Sequence, residues 1–150
     1  MNRVARNRIL LWIIFLGLAN FVSYTVMYGY LQGDAKNGAF VDGKYYLRGH
    51  FLRERTGLMS DEVSRTTWIY SFVHSISIWP TVGAVLVAMF ILARPHIIAT
   101  MKTDAMIRGP TFITVCITVI ALLTGASTFY FILSFADALL TISKGSNWGV

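Results

Sequence analysis

Three long runs of apolar residues dominate the sequence, and polar segments separate them. The runs cover residues 9–31, 68–93 and 110–135. Each meets the requirement of about 20 predominantly apolar residues for a helix that crosses a hydrocarbon core of about 30 Å. The pattern therefore predicts an all-α membrane protein, with one integral membrane domain over 1–150 and three transmembrane helices. An extramembrane loop would cover 32–67, and a cytoplasmic loop 94–109.

The loop at 32–67 contains a pattern typical of a β-hairpin. Asp42-Gly43 separates two runs rich in β-forming residues, AFV and KYYL. This dipeptide favours a type I′ turn, because both central residues of that turn need positive φ. An isolated hairpin is marginal in water, so we expect it to pack on helix ends or on another protein. The residues predicted for a partner-binding surface on this loop are Phe40, Tyr45, Tyr46 and Arg48.

Local signals also predict where the second helix begins and ends. Ser60 is a suitable N-cap and acids follow it, so the helix is expected to begin near Asp61. Arg94-Pro95 predicts its end. Within it, Pro80 lacks the amide hydrogen of a normal helical residue and predicts a kink.

The segment after Pro95 and the third helix carry their own end signals. Residues 97–105 form either a short helix on the cytoplasmic surface or an irregular basic loop. The third helix is expected to continue to Ser143, because Lys144-Gly145 is a good C-terminal stop.

Small and polar residues form a stripe along each predicted span. Helices in lipid associate through close packing of small residues and through interhelical hydrogen bonds, so we expect the three stripes to face one another. Asn20 is expected to bond to Thr81 or Thr118. The residues predicted for helix packing are Asn20, Tyr24, His74, Thr81, Thr114, Thr118, Gly125 and Thr128.

His74 is the imidazole inside a predicted span, and two interpretations remain open for it. The rise of 1.5 Å per residue places it at the level of Tyr24 and Thr128, so we expect a hydrogen bond to Tyr24, Ser127 or Thr128. The alternative is an axial ligand for a chlorophyll-type pigment or a haem. A haem held by two histidines of this chain is disfavoured, because the other histidines lie outside the spans.

A metal site in the extramembrane loop is the weaker chemical hypothesis. His50 and Glu54 have a spacing that would place both on one helical face, with Asp61 and Glu62 further along. Neighbouring glycines disfavour a helix there, and neighbouring arginines oppose a cation. We therefore interpret this loop as a solvated or partner-facing segment. The sequence shows no nucleophile constellation and no Gly-rich phosphate loop.

Composition and charge agree with the membrane assignment. The chain is 55% hydrophobic and 13% charged, with a formal charge of +6. Its basic residues lie mainly near span ends, so the positive-inside rule explains the charge better than nucleic-acid binding and predicts a cytoplasmic N-terminus. The first apolar run is too long for a cleaved signal, and we interpret it as a retained anchor. Cys116, inside the third span, is expected to pack inertly.

The loop residues resemble a pattern found in small bacterial membrane proteins of uncharacterised function. The similar segments are GDAKNG at 33–38, DGKYYLRGH at 42–50 and EVS at 62–64. The resemblance implies that the exposed hairpin is a shared feature and that the chain belongs to a bacterial inner membrane. It implies no catalytic residue.

These features together predict a non-enzymatic protein. The preferred hypothesis is a non-catalytic accessory or assembly subunit of a larger membrane protein complex. It would stabilise that complex through helix packing and the hairpin loop, without a cofactor. One alternative is a pigment- or haem-binding membrane subunit that uses His74. A second is a small homo-oligomeric channel lined by threonine and serine. The absence of ionisable residues from the span centres disfavours proton transport.

Overall fold

Three long helices account for the apolar runs in the computed structural model, which describes residues 2–49, 62–101 and 107–149. Helix α1 covers Arg3–Leu31, α2 covers Arg65–Thr100 and α3 covers Gly109–Ser143. All three are long and apolar enough to cross a membrane. The 36 residues of α2 extend about 54 Å, so its ends project beyond a hydrocarbon core of about 30 Å. The predicted fold class, an all-α membrane protein with three long apolar helices, is confirmed.

A small antiparallel sheet lies in the chain between α1 and α2. Strands β1 (Asp34–Val41), β2 (Lys44–Arg48) and β3 (Glu62–Val63) pair in that order. Asp42 and Gly43 have φ values of 50° and 83°, as a type I′ turn requires. The predicted hairpin is confirmed. The third strand was not predicted, because two residues carry too little pattern and their pairing with Tyr45 and Tyr46 depends on the fold.

The boundaries predicted for α2 are wrong at both ends. The helix begins at Arg65, after β3, and its N-cap is Ser64, whose Oγ accepts a hydrogen bond of 3.1 Å from the Thr67 amide. Ser60 and Asp61 lie outside the described residues. At the other end α2 continues through Pro95 to Thr100, because a proline removes one helical hydrogen bond without forcing the helix to stop. Pro80 also lies inside α2, and the kink there stays a prediction.

The end of α3 follows its sequence signal. The helix stops at Ser143, and Gly145 has a φ of 72°. The Gly145 amide donates to the Ile142 carbonyl oxygen at 3.0 Å, and the Ser146 amide donates to that of Thr141 at 3.2 Å. This pair of bonds is a Schellman motif, which satisfies carbonyls that a helix end otherwise leaves unpaired.

Contacts within the chain define two compact units. The helical unit contains Met1–Asn20 and Trp79–Ser127, and the sheet unit contains Phe21–Ile78 and Thr128–Val150. The sheet unit has a fully buried core, in which the side chains of the sheet meet those of α2 and α3. Its members are Ala35, Leu47, Trp68, Phe72 and Ala138.

Candidate functional site

The sheet unit contains a buried carboxylate, Asp34, at the start of β1. Only 5% of this residue is exposed. Its Oδ1 accepts hydrogen bonds from the backbone amide and the side-chain amide of Asn37, at 3.0 and 2.8 Å. Its Oδ2 accepts the Tyr24 hydroxyl at 2.9 Å. Buried carboxylates are stabilised by such donors, so Asp34 ties the end of α1 to the sheet.

Two serines one turn apart on α2 complete this polar cluster. Ser71 Oγ accepts a hydrogen bond of 3.1 Å from the Ala35 amide. Ser75 Oγ lies 3.4 Å from Asp34 Oδ2 and 3.0 Å from the Ser71 carbonyl oxygen, so its one hydroxyl hydrogen is shared between two acceptors. The start of β1 is thus bonded to α1 and α2 at once.

His74 lies beside this cluster and is 9% exposed. Two aromatic rings pack against its imidazole in edge-to-face arrangements: the ring centroids of Tyr24 and Tyr70 lie 5.4 and 5.5 Å away. The Tyr24 hydroxyl, one of the three partners predicted for His74, donates to Asp34, and a hydrogen bond from His74 to Tyr24, Ser127 or Thr128 stays a prediction. Tyr24 and His74 do pack together as the helix levels indicated, but through their rings.

A narrow cleft next to the imidazole is lined by Tyr24, Asp34, Tyr70 and Ser71. Its volume is about 10 Å³, which is on the scale of a single water molecule. A flat macrocycle would require Tyr24 or Tyr70 to move away from the imidazole. The geometry around His74 therefore suits packing better than ligation of a pigment or haem.

Two of the predicted packing residues, Asn20 on α1 and Thr81 on α2, lie where these helices meet within the helical unit. Asn20 Nδ2 donates to Thr81 Oγ1 at 3.1 Å, as predicted. Gly17 lies against Val85 and Thr81, and a Cβ built at Gly17 would overlap the Val85 side chain. The predicted polar pair therefore lies on the face where α1 and α2 meet, and the tight contact of Gly17 lies on the same face.

The packing face predicted for α3 is wrong within this chain. Thr114, Thr118 and Gly125 are exposed. Thr114 Oγ1 donates to the Pro110 carbonyl oxygen of its own helix at 3.0 Å. The face that does pack carries Ile113 and Thr124, and Thr124 lies directly against Gly83. Threonine and glycine tolerate lipid, since a threonine can bond to its own backbone, so the stripe alone did not fix the orientation. Thr128 is half-buried.

The hairpin residues divide between the core and the surface. Phe40 is buried, its ring lies 4.9 Å from that of Tyr45, and Tyr45 lies 5.6 Å from Trp68. The hairpin therefore packs on a helix end, which is the first of the two predicted arrangements, and Phe40 takes part in this packing. Tyr46 is half-buried and Arg48 is exposed.

Of the residues considered for a metal site, only Glu62 lies in the described part of the chain. His50, Glu54 and Asp61 lie outside the described residues. Glu62 forms an ion pair of 2.8 Å with Lys44, and the pKa of Lys44 is raised because its ammonium donates a hydrogen bond to that carboxylate. Among residues 2–49, 62–101 and 107–149, no three metal-ligating side chains group together.

Two important residues of the sheet unit were missed from the sequence. The sequence pattern predicts no particular role for Asp34 or for Trp148. The Trp148 ring lies 5.7 Å from Trp68, and its backbone exchanges two hydrogen bonds, of 2.8 and 2.9 Å, with Phe40. A large aromatic residue just after a helix stop was the available signal for Trp148. For Asp34 the sequence offers no comparable signal, because its burial depends on three elements coming together.

No family model, curated protein or solved structure matches the chain. Its class follows from its helices: three of them are apolar and long enough to span the bilayer, which defines a multi-pass membrane protein.

Proposed function

We propose that this protein is a non-catalytic accessory or assembly subunit of a larger membrane protein complex. It would reside in a bacterial inner membrane with its N-terminus in the cytoplasm. The arginines at positions 3, 6, 8 and 94 support that orientation, because basic residues near span ends favour the cytoplasmic side.

The observation that carries the proposal is the exposed small-residue face of α3. This face consists of Thr111, Thr114, Thr118, Ala121 and Gly125. Small residues at this spacing let two helices approach closely in lipid, where dispersion and hydrogen bonds drive association. The chain's own helices pack on a different side of α3, so the face remains available to a transmembrane helix of a partner.

The sheet supports the same role. It is joined to α1 and α2 through Asp34 and to α2 and α3 through the aromatic core, so its surface is fixed to the helices within the sheet unit. A subunit that stabilises a complex needs such a surface on rigid elements. Exposed Arg48 and half-buried Tyr46 are the predicted loop contacts that face outward enough to serve.

A matched pair of substitutions on α3 tests the proposal. Ala121 belongs to the small-residue face. Ala126 is also exposed, but it lies about 140° around the helix from Ala121. The tagged chain should co-purify with larger membrane polypeptides at fixed stoichiometry from its native membrane in mild detergent. Ala121→Leu should reduce their yield about tenfold, because the leucine separates the helices, whereas Ala126→Leu should retain them.

Other outcomes of that purification would decide against the proposal. Recovery of the chain alone as a monomer would refute it. Recovery as a homo-oligomer without other polypeptides would favour the channel. Visible absorbance that disappears in His74→Ala would favour the pigment or haem alternative.

A further inference from the structure

A second cavity of the sheet unit lies where the hairpin turn meets the ends of α2 and α3. Its volume is about 320 Å³, which reaches the range of small-molecule sites, about 300 to 1,000 Å³. Strand residues, the first turn of α2 and the last turn of α3 form its walls. The lining side chains used in the argument are Phe40, Tyr45, Arg65, Trp68, Leu139 and Ile142.

The walls combine apolar surface with one cation. Arg65 is the first residue of α2 and is exposed. The ion pair found among the described residues joins Lys44 to Glu62, so no described carboxylate neutralises the Arg65 guanidinium. A guanidinium beside a cavity with partly apolar walls is suited to a phosphate or carboxylate whose remainder is partly apolar, because its fork of N–H donors matches such an anion.

Trp68 lies behind the same cavity and belongs to the aromatic core of the sheet unit. Its side chain is fully buried, and its indole N–H has no hydrogen-bond acceptor among the described residues. A buried tryptophan N–H usually has a partner, since leaving it unpaired destabilises the fold. This nitrogen is itself inaccessible, so the polar contact with a molecule in the cavity falls to Arg65.

The position of the cavity along the helices selects the kind of ligand. Arg65 lies three residues before the second apolar run, which begins at Trp68. That level corresponds to the lipid headgroups, where amphipathic aromatic side chains collect. We propose that this cavity binds the phosphate and glycerol portion of a phospholipid, with Arg65 on the phosphate and the apolar walls around the start of the acyl chains.

Lipid retention by the purified chain tests this site independently of any protein partner. The full chain in mild detergent is mixed with phosphatidylglycerol, and bound lipid is counted by native mass spectrometry. We expect one tightly held lipid. Arg65→Gln should weaken its binding about tenfold or more, because a charge-assisted contact is lost, and Arg108→Gln, which removes an exposed arginine just before α3, should not.

A second pair of variants separates the cavity from the charge. Leu139→Trp should fill the cavity and displace the lipid without lowering the thermal midpoint, whereas Leu140→Trp on the exposed side of α3 should leave binding intact. A neutral diacyl glycolipid should bind about as weakly as phosphatidylglycerol binds to Arg65→Gln. Equal binding by Arg65→Gln, equal retention of the glycolipid, or displacement of the lipid by millimolar inorganic phosphate would each overturn the proposal.

Discussion

Asp34 shows how one side chain can join three elements at the edge of a membrane domain. Its two oxygens accept hydrogen bonds from Asn37 and Tyr24, with Ser75 close by, so the carboxylate is surrounded by donors rather than by countercharges. Loss of such a group leaves buried donors without acceptors, at a cost of about 1 to 3 kcal/mol for each group.

The loss of stability on substitution of Asp34 should therefore depend on how many hydrogen bonds the replacement side chain can still accept. Asp34→Ala should lower the free energy of unfolding by about 2 to 4 kcal/mol, because Tyr24 and Asn37 both lose their acceptor. Asp34→Asn should cost less, since one oxygen remains and the hydroxyls can rotate to accept from the new amide. Thermal unfolding in detergent measures the series, with exposed Asp137→Ala as the control. Equal effects at positions 34 and 137 would contradict this account.

At the level of elements, α1 and α2 meet within the helical unit through a glycine that admits its neighbour's side chain. Gly17 has room for no Cβ, because Val85 occupies that space, and Asn20 bonds to Thr81 one turn further along. Gly29, on the same helix, has open space around it. The two glycines therefore have opposite tolerance for alanine.

Gly17→Ala should lower the free energy of unfolding by about 1 to 3 kcal/mol through overpacking against Val85. Gly29→Ala should be neutral or slightly stabilising, since alanine favours helix and nothing obstructs it. The double variant Gly17→Ala with Val85→Ala should recover part of the loss, which a double-mutant cycle in detergent would detect. No recovery in the double variant would place the clash elsewhere.

The same elements show which features a sequence can specify. The hairpin was predictable because Asp42-Gly43 fixes its turn locally. The faces of α1 and α2 were predictable because Asn20 and His74 are too costly to leave in lipid. The face of α3 was not, since threonine, alanine and glycine are tolerated on either side. Strand β3 and the burial of Asp34 depend on pairing between distant segments, which no local pattern reveals.

For the whole molecule, the sheet unit is held together by one aromatic cluster. The rings of Trp68, Phe72 and Trp148 lie 5.2 to 5.9 Å apart, and Phe135 lies 4.9 Å from Phe72. Trp148 contributes twice, through its ring and through its backbone pairing with Phe40. The core of this unit therefore includes a segment that follows the last helix.

Trp148→Ala should lower the free energy of unfolding by about 2 to 4 kcal/mol, because a half-buried indole leaves the cluster. Hydrogen exchange at the Phe40 amide should become faster as its bond to residue 148 loosens. Trp12→Ala is the matched control: Trp12 is 62% exposed, and its loss should change stability by less than about 1 kcal/mol. Unchanged slow hydrogen exchange at the Phe40 amide in the Trp148 variant would show that the indole ring is dispensable for the backbone pairing between residues 40 and 148.

The bridge between Phe40 and Trp148 also bears on how the protein is inserted. Two membrane crossings, α2 and α3, separate these residues along the chain. Trp148 reaches β1 only when both helices have crossed the bilayer in opposite directions. A chain that failed at either crossing would leave the indole on the wrong side and the backbone of Phe40 unpaired, as an open strand edge that proteases and chaperones recognise. The pairing of Phe40 with Trp148 is therefore compatible only with a topology in which residues 40 and 148 lie on the same side of the membrane.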